Sequence, residues 1–61
     1  MRLKEMRLKA NMTQTELSYK LNVGQNTISQ WETGERTPRA EKLIQLAEVL
    51  NCTIDELLKG A

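Results

Sequence analysis

Apolar residues recur every three or four positions in five short stretches, which polar residues separate. This spacing matches the turn of an α-helix, so each stretch predicts a helix with one face toward a core. The five predicted helices cover about residues 2–10, 14–21, 25–32, 39–50 and 54–59. No stretch has the strict alternation of a half-buried strand. The chain is therefore predicted to be a single domain, residues 1–61, that folds as a compact all-α bundle of five helices.

Residues that start and stop helices stand at the predicted boundaries. Thr13 with Glu16, and Thr53 with Glu56, have the spacing of a capping box, in which each side chain bonds to the other residue's backbone N–H. Several helices are expected to end at a residue that tolerates the left-handed conformation. These residues are Asn11, Asn22, Asn51 and Gly60. Only residues 22–24 separate the second and third helices, which predicts a tight turn between them.

The fourth predicted helix has the widest apolar face, which makes it the expected centre of the core. Its inward residues are predicted to be Ala40, Leu43, Ile44, Ala47 and Leu50, with Leu46 widening the face. The short fifth helix is expected to pack through Ile54, Leu57 and Leu58. Cys52 is expected to be a small buried residue between these two helices.

The third predicted helix combines an apolar side with a polar side that carries no charge. Ile28 and Trp31 are expected to face the core. The polar side holds Gln25, Asn26, Ser29 and Gln30. One interpretation is an ordinary solvated face, although such faces usually hold Lys and Glu. The other is a surface for hydrogen bonding to base edges, because side-chain amides can bond bidentately to adenine.

Charge is distributed unevenly along the chain, although the formal net charge is only +1. Residues 1–39 hold seven Lys and Arg against four Glu, a charge of +3, and residues 40–61 hold two Lys against four acidic residues, a charge of −2. The basic half contains the third helix, as expected for a nucleic-acid-binding surface. The near-neutral total argues mildly against such a function.

Composition excludes several other classes of function. With no His and one Cys, the chain offers neither a plausible metal site nor an intrachain disulfide, and a reducing cytoplasm is expected. No apolar run approaches the ~20 residues that span a bilayer, and the charged start does not resemble a signal peptide. No nucleophile or general base stands in a catalytic pattern, so we expect no enzyme activity, cofactor or small-molecule ligand.

The whole chain resembles the Cro/C1-type helix-turn-helix family, the DNA-binding domains of phage repressors and many small bacterial regulators. The resemblance is carried by Thr13-Gln14-Thr15-Glu16-Leu17, Asn22-Val23, residues 25–34 with Trp31-Glu32-Thr33-Gly34, Pro38, and residues 51–58. It implies a lambda-repressor-like fold with helices 2 and 3 as the helix-turn-helix. Helix 3, residues 25–32, would then enter the major groove. The chain departs from the family pattern at Ser18, usually Ala, and at Asn22, usually Gly.

The resemblance also implies roles for individual residues. The base contacts would be Gln25, Asn26, Ser29 and Gln30, and the phosphate contacts Gln14, Thr27, Arg36, Thr37 and Arg39. The free N–H groups at the start of helix 2 independently favour a phosphate at Gln14, whose amide would also brace Gln25. The alternatives are local capping by Gln14 or Thr27 and ordinary solvated arginines. Arg7 and Glu32 match an Arg–Glu pair of related domains and are expected to form a partly buried ion pair.

These observations predict a sequence-specific double-stranded DNA-binding protein. It would be a small bacterial or phage-encoded transcriptional regulator in the cytoplasm, most often a repressor in this family. By resemblance it would act as a homodimer, at least on DNA, through the loop after helix 3 and through Leu57 or Leu58. The alternative is a protein-interaction or antitoxin-like module on the same fold, which the near-neutral net charge favours.

Overall fold

The computed structural model describes residues 1–59, and Gly60, expected to end the last helix, lies outside them. The five helices are α1 (Leu3–Lys9), α2 (Gln14–Leu21), α3 (Gln25–Thr33), α4 (Ala40–Val49) and α5 (Ile54–Leu58). No strand occurs within the described residues. The predicted bounds differ from these by at most one residue at each end. A difference of this size is expected, because the residues that flank a helix are only partly helical. The all-α prediction is confirmed.

Both predicted capping boxes are present. The backbone N–H of Glu16 donates to Thr13 Oγ1 at 3.0 Å, and the N–H of Thr13 donates to Glu16 Oε1 at 2.9 Å. Thr53 and Glu56 exchange the same two bonds at 3.0 Å each. Each box satisfies two backbone donors that would otherwise have no partner in the helix, so α2 and α5 begin at defined residues.

The three predicted asparagine stops also take the left-handed conformation, with φ of 57° at Asn11, 56° at Asn22 and 54° at Asn51. Gly34 ends α3 in the same way, with φ of 84°. The first four helices therefore end sharply, and the loops that follow them are only a few residues long. Short loops force neighbouring helices to pack against one another.

The core lies where α2 and α3 pack on each other, with α1 against α3 and α4 against α2 and α5. Its fully buried side chains are Leu3, Leu17, Leu21, Ile28, Leu46 and Leu57. Trp31 is also buried, as predicted, and Cys52 packs against the core as a partly buried residue. Burial raises the pKa of the Cys52 thiol, which keeps it in the protonated, unreactive form. No helix in residues 1–59 is long and apolar enough to cross a membrane.

The predicted inward face of α4 is partly wrong. Leu46, Ala47 and Leu50 are buried, but Ile44 is 51% exposed and Ala40 is exposed as well. In α5, likewise, only Leu57 of the three predicted residues is buried, and Ile54 and Leu58 are exposed. The reason is size: α4 packs mainly against α2 and α5, and a chain this short cannot cover a wider face.

Substitutions in α4 distinguish the two sides of this helix. We expect Leu46→Ala to lower the free energy of unfolding by about 2–5 kcal/mol, because it removes a fully buried side chain. Ile44→Ala, the matched control in the same helix, should change it by less than about 1 kcal/mol. Urea unfolding followed by circular dichroism measures both values. Equal losses for the two variants would show that Ile44 belongs to the core.

The capping boxes predict how stability depends on pH. Hydrogen bonds from the Thr13 and Thr53 backbone and hydroxyl groups hold the pKa values of Glu16 and Glu56 below their ordinary value of 4.5. A lowered pKa in the folded state stabilises the fold above the unfolded pKa, and this contribution is lost as pH falls through the folded pKa. Urea midpoints measured from neutral pH down to about pH 3 should therefore decrease. The Glu16→Gln/Glu56→Gln variant should show a shallower decrease, and an identical decrease would contradict this explanation.

Candidate nucleic-acid interface

The turn between α2 and α3 fixes where the amide-bearing helix begins. Because Asn22 adopts the left-handed conformation, the N–H of Val23 can donate to Ser18 O at 3.0 Å and so closes α2. Val23 packs against the core, and Gly24 then starts α3 with an extended backbone. α2 and α3 thus form a helix-turn-helix unit. The turn determines at which residue α3 begins and therefore which of its side chains face the core.

α3 has the two-sided character that its sequence predicts. Ile28 and Trp31 are buried, so they anchor the helix to the core. None of the four residues predicted to contact bases is buried: Gln25 and Asn26 are exposed, and Ser29 and Gln30 are half-buried. α3 therefore presents side-chain amides on its solvent side, where their N–H and C=O groups can form hydrogen bonds with a ligand.

Hydrogen bonds hold two of these amides in place. Thr15 Oγ1 donates to Gln25 Oε1 at 3.2 Å, and Gln30 Nε2 donates to Glu35 Oε2 at 3.2 Å. Gln14 was expected to brace Gln25, and that expectation is wrong: its Nε2 donates to Glu32 Oε1 at 3.0 Å. Thr15, an exposed residue in the first turn of α2, makes the contact to Gln25 instead. This contact joins two helices, and no spacing pattern within either helix indicates it.

Arg7 and Glu32 form an ion pair, with 2.6 Å between Arg7 Nε and Glu32 Oε2 and side chains only 9% and 5% exposed. Arg7 Nη1 also donates to Met12 O at 2.7 Å. Together with the Gln14 bond, this network joins α1, the loop after it, α2 and α3. In residues 1–59 no buried side-chain nitrogen or oxygen lacks a hydrogen-bond partner. Such full satisfaction is what makes a buried charge pair tolerable.

The residues predicted to contact phosphates lie on two flanks of α3. On one flank, Gln14 shares a groove with Gln25, at the beginning of α3. On the other flank, the remaining candidates border a groove at the end of α3 whose floor includes the buried Trp31. These candidates are Thr27, Arg36, Thr37 and Arg39. The predicted phosphate contacts therefore lie on two sides of the amide-bearing helix.

One residue that positions this unit was missed by sequence reasoning. Lys42 of α4 donates from Nζ to Leu21 O, the last carbonyl of α2, at 2.9 Å. A cation at a helix C-terminus satisfies an unpaired carbonyl and interacts favourably with the helix dipole. The contact spans 21 positions, and no spacing rule within one helix could indicate it.

The described residues show no arrangement suited to a metal ion. Within residues 1–59, no three His, Cys, Asp or Glu side chains cluster closely enough to hold one. The polar groups of the interface are instead amides, hydroxyls and guanidinium groups, which recognise a ligand by hydrogen bonding and charge.

The chain belongs to the helix-turn-helix family, whose model matches residues 3–57. It is similar to the transcriptional regulator ImmR of Bacillus subtilis, at 44% identity over 57 residues that cover 93% of this chain and 45% of ImmR. It is also similar to the transcriptional activator BcrR of Enterococcus faecalis, at 39% identity over 59 residues, covering 97% of this chain and 29% of BcrR.

A phage repressor provides the structural comparison. Repressor protein C2 of Salmonella phage P22 is 39% identical over 59 residues, covering 97% of this chain and 27% of C2. The crystal structure of the P22 c2 repressor in complex with a synthetic operator matches with a TM-score of 0.88 at 38% identity, covering 98% of this chain and 91% of that chain. The predicted family and the lambda-repressor-like fold are confirmed. The chain spans less than half the length of these three curated relatives.

Removing one partner of the ion pair should be strongly destabilising. We expect Glu32→Ala to lower the free energy of unfolding by about 3–5 kcal/mol, because the Arg7 charge stays buried without its partner. The matched control is Glu5→Ala, which breaks the exposed Arg2–Glu5 pair and should have little effect. Thermal and urea unfolding report both. A loss of only a few tenths of a kcal/mol for Glu32→Ala would refute the structural role of the pair.

Proposed function

We propose that this chain is the DNA-binding part of a transcriptional regulator and binds double-stranded DNA in a sequence-specific manner. The observation that carries the proposal is the uncharged amide face of α3, which is exposed while the opposite side of the helix is anchored in the core. The structural neighbour, a repressor in complex with operator DNA, and the regulators among the sequence relatives support it. In this proposal the chain acts by binding and carries out no reaction.

The proposed base contacts and the proposed phosphate contacts would have different roles. With α3 in the major groove, Gln25, Asn26, Ser29 and Gln30 would meet base edges and supply sequence preference. Gln14 would contact the phosphates of one strand. The other strand would be met by Thr27, Arg36, Thr37 and Arg39. Phosphate contacts orient the protein and set its affinity and salt dependence, but they carry no sequence information.

A homodimer on DNA remains part of the proposal, with a narrower contact surface. Leu57 was one of two candidates for the dimer contact, but it is fully buried and therefore cannot serve. Leu58 is exposed, and the exposed Ile44 and Ile54 line a groove between α4 and α5. Two protomers joined on this side would read half-sites about one helical turn apart. We further propose repression, in a bacterial or phage context and in the cytoplasm, by analogy with the P22 relative.

Selection of bound sequences from a pool of random duplexes tests the readout. We expect the chain to enrich a defined sequence, and Gln25→Ala to lose preference at one or two positions, since each bidentate contact contributes about 1–3 kcal/mol of discrimination. Gln45→Ala, on the exposed side of α4, is the matched control and should keep the full preference. If Gln25→Ala enriched the same sequence as the unaltered chain, the proposed role of the amide face would be wrong.

The salt dependence of binding separates this proposal from the protein-interaction alternative. Titrations of a duplex at increasing salt should show weakening affinity, and Arg36→Gln should reduce the slope of log affinity against log salt by about 0.9. This reduction should be the same on every sequence, because a phosphate contact carries no sequence information. Absence of binding at low salt, or binding without a salt slope, would favour the protein-interaction module.

A further inference from the structure

Glu35, in the loop after α3, contacts one of the proposed base-reading amides. Gln30 Nε2 donates to its Oε2 at 3.2 Å. The loop holds Glu35 in place by other bonds as well: the N–H of Glu35 donates to Thr33 Oγ1 at 3.4 Å, and the N–H of Arg36 donates to Gln30 O at 3.1 Å. These bonds hold the loop backbone beside the end of α3, so the Glu35 side chain starts from a defined position next to Gln30.

The chemistry of this contact fixes which end of the Gln30 amide faces outward. A carboxylate only accepts hydrogen bonds, so the amide must turn its NH₂ group toward Glu35 and its oxygen away from it. The Gln25 amide is under no such constraint. Its partner, Thr15, has a hydroxyl that can either donate or accept, so both orientations of the Gln25 amide keep that bond.

An amide fixed in this way distinguishes between bases. Its Oε1 accepts from an exocyclic amine, and the second N–H of its NH₂ group remains available to donate. Adenine offers the matching pair in the major groove, a donor at N6 and an acceptor at N7, whereas guanine offers two acceptors, N7 and O6. Guanine offers only acceptors, so the amide could bond to both only by directing both N–H bonds of its NH₂ group at the base, which would break the bond to Glu35.

We propose that Glu35 is a specificity-determining residue: by holding the Gln30 amide it selects adenine over guanine at the base pair that Gln30 faces. This inference rests on the proposed function, because it requires α3 to lie in the major groove. Glu35 itself acts through Gln30 and is a positioning residue.

A role in loop stability alone makes a different prediction. Glu35 is exposed, near the groove that holds Arg36 and Arg39. A carboxylate beside the phosphate backbone repels it, so removing the charge should strengthen binding by the same factor on every sequence. Only a contact that orients the amide makes the effect depend on the base. Whether the effect of the Glu35 substitution depends on the DNA sequence therefore distinguishes the two roles.

The decisive variant is Glu35→Gln, because a glutamine need not accept from Gln30 and so frees both N–H bonds of the Gln30 amide for the base. Affinities are measured for the selected duplex and for duplexes with each base pair replaced in turn. The position read by Gln30 is the one at which Gln30→Ala relaxes the preference. There the unaltered chain should favour adenine over guanine by about fivefold or more. Glu35→Gln should reduce this ratio to about twofold or less and leave the ratios at other positions unchanged.

Two controls isolate the effect. Glu41→Gln removes one negative charge from the groove near Glu35, and Glu41 is not the hydrogen-bond partner of Gln30. It should strengthen binding uniformly while keeping the adenine preference. In the Gln30→Ala background, Glu35→Gln should change no base ratio, because its effect passes through Gln30. A base-specific effect of Glu35→Gln that persists without Gln30 would overturn the proposal.

The remaining outcomes are also decisive. An undiminished adenine preference in Glu35→Gln would overturn this inference, as would a preferred base other than adenine, or no relaxed position in Gln30→Ala. In all three cases the proposed DNA-binding function would still hold, provided that the unaltered chain binds one duplex sequence in preference to others. If the unaltered chain bound no duplex, or bound all sequences equally, the proposed function itself would fail.

Discussion

The buried ion pair of Arg7 and Glu32 is the contact on which the geometry of the interface depends. α3 has nine residues and only two buried apolar side chains, Ile28 and Trp31. Glu32 adds an ion pair with Arg7 of α1 and a hydrogen bond from Gln14 at the beginning of α2. A buried pair contributes little net stability, because desolvation offsets the attraction between its charges. Its main effect here is to hold three helices in one relative position.

The two ends of α3 are fixed by different means. The left-handed Asn22 and the extended Gly24 fix the first residue, while Glu32 and the left-handed Gly34 fix the last turn. Both ends of the segment that carries the amides of Gln25, Asn26 and Gln30 are therefore held in place. Preorganised side chains lose less entropy on binding than mobile ones, so the stability of the fold supports the proposed readout directly.

What the sequence predicted, and what it did not, follows from the range of the interactions. Capping boxes and left-handed asparagines act within four residues, so Thr13, Thr53 and the asparagine stops were predictable. The Arg7–Glu32 pair joins residues 25 positions apart, and only the resemblance to a family indicated it. The contacts of Thr15 with Gln25 and of Lys42 with Leu21 join separate helices through polar atoms, which leaves no trace in hydrophobic periodicity. Ile44 was misassigned because periodicity shows which residues share a face, not how much of that face neighbours cover.

The central claim is that the amides of α3 meet base edges because the fold holds them outward. Side-chain NH₂ resonances of glutamine and asparagine report this contact directly when the ¹⁵N-labelled chain is titrated with its selected duplex. We predict the largest shifts at the NH₂ groups of Gln25, Asn26 and Gln30, and small shifts at Gln45 on α4. Large shifts at Gln45 and the α4–α5 groove, with the α3 amides unchanged, would contradict the account.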